Sequence, residues 1–433
     1  QYADIDPNNL IGYIERAEEG PAGNVLDGGT IRQIRMMINE SKRPVIIAGN
    51  GIRLGNPQNG PTLLLELVEK LKFPVITTWS GMDLIDHGHP LYIGSAGVMG
   101  QRGANYAVAN SDLIIAIGSR MDTRQIGNSP NLYARDAKKI VVDIDPHELE
   151  KGLIKIDLPI KADACEFIKV VTNRVEPAEI PDVSGWSEKC RGWKNKYPVV
   201  LPEYFAVKDR VNSYVFIDEL CKHLGGDDIV VTDMGTSLTC TRQTFRIKGR
   251  QRLFANIGLA PMGYGLPGAI GAWFGGGGRR VIGIFGDGGL QMSVQELQTV
   301  FHYGIPLKIF VLNNEGYLTM KHTQEMFFDG RYSGSEPSSG YSSPRFSEIA
   351  RAYKIASCMI SDPAVLGALF KRIFSDKNKN RPMLCEVMMP ADQPLIPLSL
   401  LDKSRGFAGA PIERMYPFIS EDEHRSNMLI EPA

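Results

Sequence analysis

Two apolar stretches in VIGIFGDGGLQMSVQELQTVFHYGIPLKIFVLNNEGY, Val281–Tyr317, each run into side chains that offer hard oxygen. The first ends at Asp287 inside Gly-Asp-Gly and the second at Asn313-Asn314, with Gly289–Leu312 between the motifs. Read as strands, Val281–Phe285 and Leu307–Leu312 carry these groups to their carboxyl ends, where open α/β sheets bind ligands. Gly286, Gly288 and Gly289 have no side chains, so backbone N–H groups can approach an anion. A helix after them, with Leu290, Val294, Leu297 and Phe301 as its buried stripe, would add the positive end of its dipole. A right-handed crossover makes the two strand ends neighbours. One carboxylate and a few neutral oxygens beside an anion site suit Mg2+ that is also held by phosphates. Gly-Asp-Gly alone is a common turn and Asn-Asn a common loop start, but their joint placement points to a grip on a Mg2+–diphosphate.

Such a grip needs a rigid sheet beneath it. The 433 residues predict two to three domains, and 43% hydrophobic with 22% charged residues is an ordinary globular composition. A net charge of −1 and the lack of a polybasic run argue against nucleic acid as a partner. The six cysteines form no CxxC pair and no zinc spacing, and read as free thiols of a reducing, cytoplasmic compartment. No apolar run is long enough to span a bilayer, and the polar start QYADIDPNNLIGY is not a signal peptide.

From about Gly29 helices and strands alternate. Ile31, Ile34, Met37 and Ile38 share one helical face, and further helices are expected near Thr62–Leu71, Gly103–Asn110 and Phe346–Tyr353. Strands are expected at PVIIAGNG, FPVITT, DLIIAIGSR and KIVVDIDP, then at DIVVTDMG, RRVIGIFGDG and PLKIFVLNN. Continuous Val/Ile strands between helices predict α/β architecture: two parallel-sheet, three-layer αβα domains. The expected division is a linker at 1–20, a Rossmann-like nucleotide-binding domain at 21–180, an interdomain connection at 181–212, a diphosphate- and Mg-binding domain at 213–395, and an irregular tail at 396–433. Gly330–Pro344, rich in Gly, Ser and Pro, reads as a loop.

The Gly-Asp-Gly…Asn-Asn spacing resembles the signature of thiamine-diphosphate enzymes, and the whole chain resembles their acetolactate synthase branch. By that resemblance Asp287, Asn314 and the carbonyl of Gly316 would hold Mg2+. Gly286, Gly288, Gly289 and the Gly235-Thr236-Ser237 run would help to hold the diphosphate. NIGLAPMGYGLPGAIGA is similar to the turn and helix that pack on the thiazolium, and Met262 falls where a bulky apolar residue bends the cofactor. GSRMDTRQIGN is similar to the FAD-binding run of biosynthetic members. That makes Gly49, Gly51, Thr78, Arg120, Asp122, Arg124 and Asp143 candidates for flavin binding, the arginines facing a pyrophosphate.

The resemblance implies decarboxylation of a 2-oxo acid, pyruvate first among them, and transfer of the acyl unit to a carbonyl acceptor. Alternatives are decarboxylation or C–C hydrolysis on the same scaffold, acetyl transfer to a nucleotide-linked keto-sugar, or a non-catalytic nucleotide-binding subunit. Family members carry a further pyrimidine-binding domain whose Glu activates the cofactor. That domain is expected in cis, before the linker-like QYADIDPNNL, or as a separate subunit. Without it the chain should bind cofactor weakly and not turn over, and within this chain only His322 is a candidate for proton transfer. Thr323 stands where branched-chain acetolactate synthases carry a Trp, so a wider, more polar acceptor pocket is expected. A homo-oligomer is expected too, because family active sites form between subunits.

Overall fold

The computed structural model describes residues 26–402 and 408–432, so the expected linker 1–20 lies outside the described residues. Twelve strands form two six-stranded sheets, and every pairing within both is parallel. The first sheet contains β1 (Pro44–Ala48), β2 (Val75–Thr77), β3 (Tyr92–Ser95), β4 (Leu113–Ile117), β5 (Lys138–Asp143) and β6 (Leu158–Lys161). The second contains β7 (Ile229–Thr232), β8 (Arg252–Phe254), β9 (Val281–Gly286), β10 (Lys308–Asn313), β11 (Ala356–Ile360) and β12 (Met383–Met388).

The first sheet runs β3-β2-β1-β4-β5-β6, a doubly wound order whose direction of winding reverses between β1 and β4. In the second, β11-β12-β10-β9-β7-β8, the reversal lies between β7 and β9. Central strands are apolar on both faces because helices cover both: all five residues of β1 are buried. Beneath one face of the second sheet lie Phe216, Leu366 and Phe370 from helices Ser213–His223 and Leu366–Ile373. Leu266, Ala269 and Phe346, from helices Gly265–Gly275 and Phe346–Ala352, fill the other.

Three expectations change. The stretch after Gly-Asp-Gly is not one helix but Asp287–Gln291, a 3-10 turn at Val294–Glu296, and Leu297–His302. The break shifts the helical phase, so Phe301 is exposed and Val300 takes the buried place. Within 181–212 the helix Ser184–Lys196 buries Trp186, Cys190 and Trp193 against the first domain. Their i, i+4, i+7 spacing is a helical stripe, here masked by the charged residues around it. The tail is not irregular throughout: it returns to the first domain and ends in helix Glu421–Asn427. Tyr106 Oη meets His424 Nδ1 at 2.9 Å, and Asn105 Nδ2 donates to the Ile412 carbonyl at 2.7 Å.

The two domains are joined through Asp83, which is buried below the first sheet's carboxyl edge. Its carboxylate accepts from Arg53 Nη2 at 3.1 Å within its own domain, and from Arg252 Nε at 2.6 Å and Leu253 N at 3.1 Å across the boundary.

Candidate active site

β9 and β10 pair in register, with Leu312 opposite Gly286, so Asp287 and Asn313-Asn314 emerge side by side. Asp287 and Asn314 are each 3% exposed. Gly316 N–H donates to Asp287 Oδ2 at 3.1 Å, Gly288 N–H donates to Oδ1 at 2.8 Å, and Asn314 Nδ2 donates to the Gly316 carbonyl at 3.0 Å. The three expected metal-facing residues therefore form one closed cluster at the edge of the reversal point. Burial pushes the Asp287 carboxyl up to about 7 despite its N–H donors. No cationic side chain is among the groups that shift it, so a carboxylate this deep would gain from a cation placed beside it. Among the described residues no three His, Cys, Asp or Glu converge as a metal site. A cluster of one acid, one amide and one carbonyl suits a hard cation whose remaining ligands are phosphate oxygens.

The glycines divide into two kinds. A Cβ on Gly288 would fall 2.1 Å from Tyr317 Cε1 and 3.2 Å from Met262 Cε, and one on Gly289 would fall 2.6 Å from Asp233 Oδ2. These two are glycine because the protein itself packs against them. On Gly286 a Cβ would meet nothing closer than the Met234 carbonyl at 4.0 Å, and on Gly235 nothing closer than Thr319 Oγ1 at 3.9 Å. Gly235, at φ +79°, turns the chain from β7 into helix Thr236–Thr244, and Ser237 Oγ caps back to the Met234 carbonyl at 3.1 Å. Gly235 and Gly286 thus border open space between the carboxyl ends of β7 and β9, with helix starts on both sides. That space suits a diphosphate.

Asp233, just past β7, is a site residue that the sequence reading missed. It is 1% exposed and accepts from Met234 N at 2.7 Å and Gly263 N at 3.1 Å. It ties the glycine-rich turn that carries Met262 to the carboxyl end of β7 and packs against Gly289. The available signal was an acid ending an apolar strand, the same signal that marked Asp287. Tyr341, from the Gly330–Pro344 loop, stacks obliquely on Tyr317 with centroids 4.5 Å apart, and burial together with the nearby Asp287 raises its hydroxyl pKa. Behind the cluster Glu386 of β12 is fully buried, accepting from Asn313 Nδ2 at 2.8 Å and Ser347 N at 3.0 Å.

His322 and Thr323 lie on helix Leu318–Phe328 and border a cavity of about 810 Å³ between the domains. Gly235, Trp79, Met99 and Leu395 also border it. Burial lowers the His322 pKa, which keeps the ring neutral near pH 7, and Thr323 Oγ1 donates back to the Thr319 carbonyl at 2.9 Å.

The first sheet has its own groove, about 840 Å³, over the β1/β4 reversal. Gly51, Thr78, Arg120, Asp122, Arg124 and Asp143 all border it. Gly49 does not: a Cβ there would fall 2.1 Å from the Gly118 carbonyl, so it serves the packing of β1 on the β4 turn. Asp122 caps helix Thr123–Ile126, Arg120 Nε pairs with Glu148 Oε1 at 2.8 Å, and Arg124 Nη1 donates to the Ile257 carbonyl of the other domain at 3.0 Å. Asp143, half-buried, has its pKa raised by burial and accepts from Asp145 N at 3.0 Å. Trp79 and Arg124 border both cavities, so groove and interdomain cavity adjoin.

Residues 31–171 match the model of the thiamine pyrophosphate enzyme central domain, and 233–387 match that of the C-terminal TPP binding domain. The chain is 32% identical over 374 residues to the acetolactate synthase large subunit of Lactococcus lactis, covering 85% of this chain and 62% of that protein. It is 34% identical over 378 residues to the probable acetolactate synthase large subunit of Methanocaldococcus jannaschii, covering 85% and 61%. To the Escherichia coli isozyme 1 large subunit it is 29% identical over 370 residues, covering 85% and 62%. The chain therefore spans about three-fifths of the length of these relatives. With both domain models matched in order and the Asp287 cluster at the mouth of the second, the chain belongs to the thiamine pyrophosphate enzyme family.

Proposed function

We propose that this chain forms the flavin-side and diphosphate-side domains of an acetolactate synthase-like enzyme. That enzyme would decarboxylate a 2-oxo acid, pyruvate in the first instance, and join the acyl unit to a carbonyl acceptor. The observation that carries the reading is the buried Asp287–Asn314–Gly316 cluster beside the open Gly235–Gly286 space. In this reading Asp287, Asn314 and the Gly316 carbonyl hold Mg2+, and the helix starts at Thr236 and Asp287 take the diphosphate. Thiamine diphosphate, when bound, supplies the carbanion chemistry that cleaves the bond to CO2 and carries the acyl unit.

The chain's own residues orient and enclose. Met262, in the turn held by Asp233, would pack against the cofactor ring. Leu318–Phe328 brings the neutral His322 and the small Thr323 to the cavity where an acceptor would wait, leaving room for a bulky or polar carbonyl compound. The groove with Thr78, Arg120, Arg124 and Asp143 suits a dinucleotide such as FAD, because it lies at the reversal of a 3-2-1-4-5-6 sheet. For a pyrophosphate, Arg120 would exchange Glu148 for the ligand, which is easy for a side chain 70% exposed.

Activation of the cofactor falls to a pyrimidine-binding domain, in cis or in a partner subunit. Support for a partner here comes from Leu259, 89% exposed, and Met292, 54% exposed, which flank the Met262 turn and leave an apolar face uncovered. The test is product analysis of the complete enzyme, this chain together with such a domain, given pyruvate with thiamine diphosphate and Mg2+. CO2 release matched by a new C–C bond supports carboligation. Free acetaldehyde as sole product would replace it with simple decarboxylation, and no turnover with both cofactors bound would favour a non-catalytic subunit.

A further inference from the structure

Outside the proposed active site, two cysteines face one another across neighbouring strands. Cys358 on β11 and Cys385 on β12 are register partners in a parallel pair, so their side chains leave the same face of the sheet. Their sulfurs are 2.7 Å apart. Directly opposed residues on adjacent strands have Cα atoms about one strand spacing apart, ~4.8 Å, inside the 4.4–6.8 Å range that a disulfide needs. No backbone movement is required to join them.

The surroundings fix which thiol reacts first. β11 is the last strand of its sheet, and Cys358 is half-buried there beside the exposed Met359, whereas Cys385 lies in the core under Leu369 and Phe370. The Cys385 thiol, hydrogen-bonded to Cys358, lowers the Cys358 pKa, and Arg372 on the covering helix helps. That same bond, together with burial, raises Cys385. The other four cysteines are buried, and none of them has a second thiol as its partner.

We propose that Cys358 and Cys385 are a redox modification site, closed to a reversible cross-strand disulfide by low-molecular-weight disulfides. The Cys358 thiolate attacks one sulfur of the oxidant RSSR, forming a mixed disulfide and releasing RS⁻. Cys385 loses its proton and attacks the Cys358 sulfur of that adduct, expelling the second RS⁻. The two protein thiols are oxidised by two electrons and RSSR is reduced to two RSH, with protons balanced by the two thiols lost. The bridge ties the open edge strand to β12, the strand that carries Glu386 behind the Asn313-Asn314 turn. This site stands whether or not the proposed activity does.

The test is oxidation of the full native chain with glutathione disulfide, followed by intact mass, thiol titration under denaturation and peptide mapping. The expected result is a mass lower by two hydrogens, with titratable thiols falling from the six of the sequence to four and a Cys358–Cys385 linked peptide. Dithiothreitol should restore all six. Cys385→Ser should retain one glutathione on Cys358, and Cys358→Ser should leave Cys385 unmodified. A lasting glutathione on Cys358 of the wild type, a link between any other pair, or no loss of thiols would overturn the proposal. Should a variant fail to fold, brief alkylation of the native wild type decides: Cys358 must label before every other cysteine.

Discussion

Both sheets present a ligand-sized space at the point where their winding reverses, yet the two spaces are built in opposite ways. In the first domain most of the charges are already paired by the protein: Arg120 with Glu148, Arg124 with a carbonyl, Asp122 with the helix it caps, while the half-buried Asp143 has a backbone N–H. In the second, Asp287 is buried with neutral groups for company, the N–H groups of Gly288 and Gly316 and the Tyr341 hydroxyl, and burial raises its pKa. A groove whose charges are mostly satisfied internally can stand filled or empty with little change in stability. A buried acid without a cation must instead hold a proton, so the second site is the one that a metal would stabilise most.

That contrast can be broken or sharpened in order of expected effect. The two sites share one rigid frame through Asp83, so Asp83→Ala, which leaves Arg53 and Arg252 without their buried partner, should cost about 3–5 kcal/mol. Denaturant unfolding should then separate into two steps. A single unshifted transition would mean that the other interdomain bonds, such as Arg124 to the Ile257 carbonyl and Gly249 N to Asp86, hold the domains together without Asp83.

Next in size is a pH dependence carried by Asp287. Its folded pKa is raised from 3.8 to about 7, so between those values the folded state holds a proton that the unfolded state has lost. Stability conferred by the protonated form is present below pH 4 and falls as pH rises towards 7, by on the order of 2–4 kcal/mol. Subtracting the profile of Asp287→Asn, which has no such proton, isolates the effect, and saturating Mg2+ with thiamine diphosphate should flatten it. Equal slopes for both proteins would show that the carboxyl is not strained by burial.

Smaller still, Arg124→Ala should weaken flavin binding to the first groove about tenfold, with thiamine diphosphate binding unchanged, as titrated by flavin fluorescence. The smallest effect belongs to Arg120→Ala: the exposed pair with Glu148 is worth at most about 1 kcal/mol of stability, measurable by thermal melting only as a shift of a few degrees or less.

The sequence made the centres of both sheets readable and hid their edges. Seven strands announce themselves as Val/Ile runs because both faces are covered. The unannounced ones include all four edge strands, β3, β6, β8 and β11, which are short and carry polar or exposed residues. β12 escaped because Glu386 interrupts its apolar run, although that acid is fully buried and holds Asn313. At the site, Asp287, Asn314 and Gly316 were legible from motif and spacing. Asp233 was not singled out, since its partner Gly263 lies a helix, a strand and a turn away. The same distance effect hid the returning tail: its anchors, Asn105 to Ile412 and Tyr106 to His424, join residues about 300 apart.

The central claim is that the Asp287 cluster holds a Mg2+–diphosphate, and calorimetric titration of thiamine diphosphate into this chain tests it most directly. The account predicts binding with Mg2+ present, loss of at least about 100-fold in affinity when the metal is chelated, and a similar loss in Asp287→Asn. Binding that is equally strong without metal, or unchanged in Asp287→Asn, would contradict it.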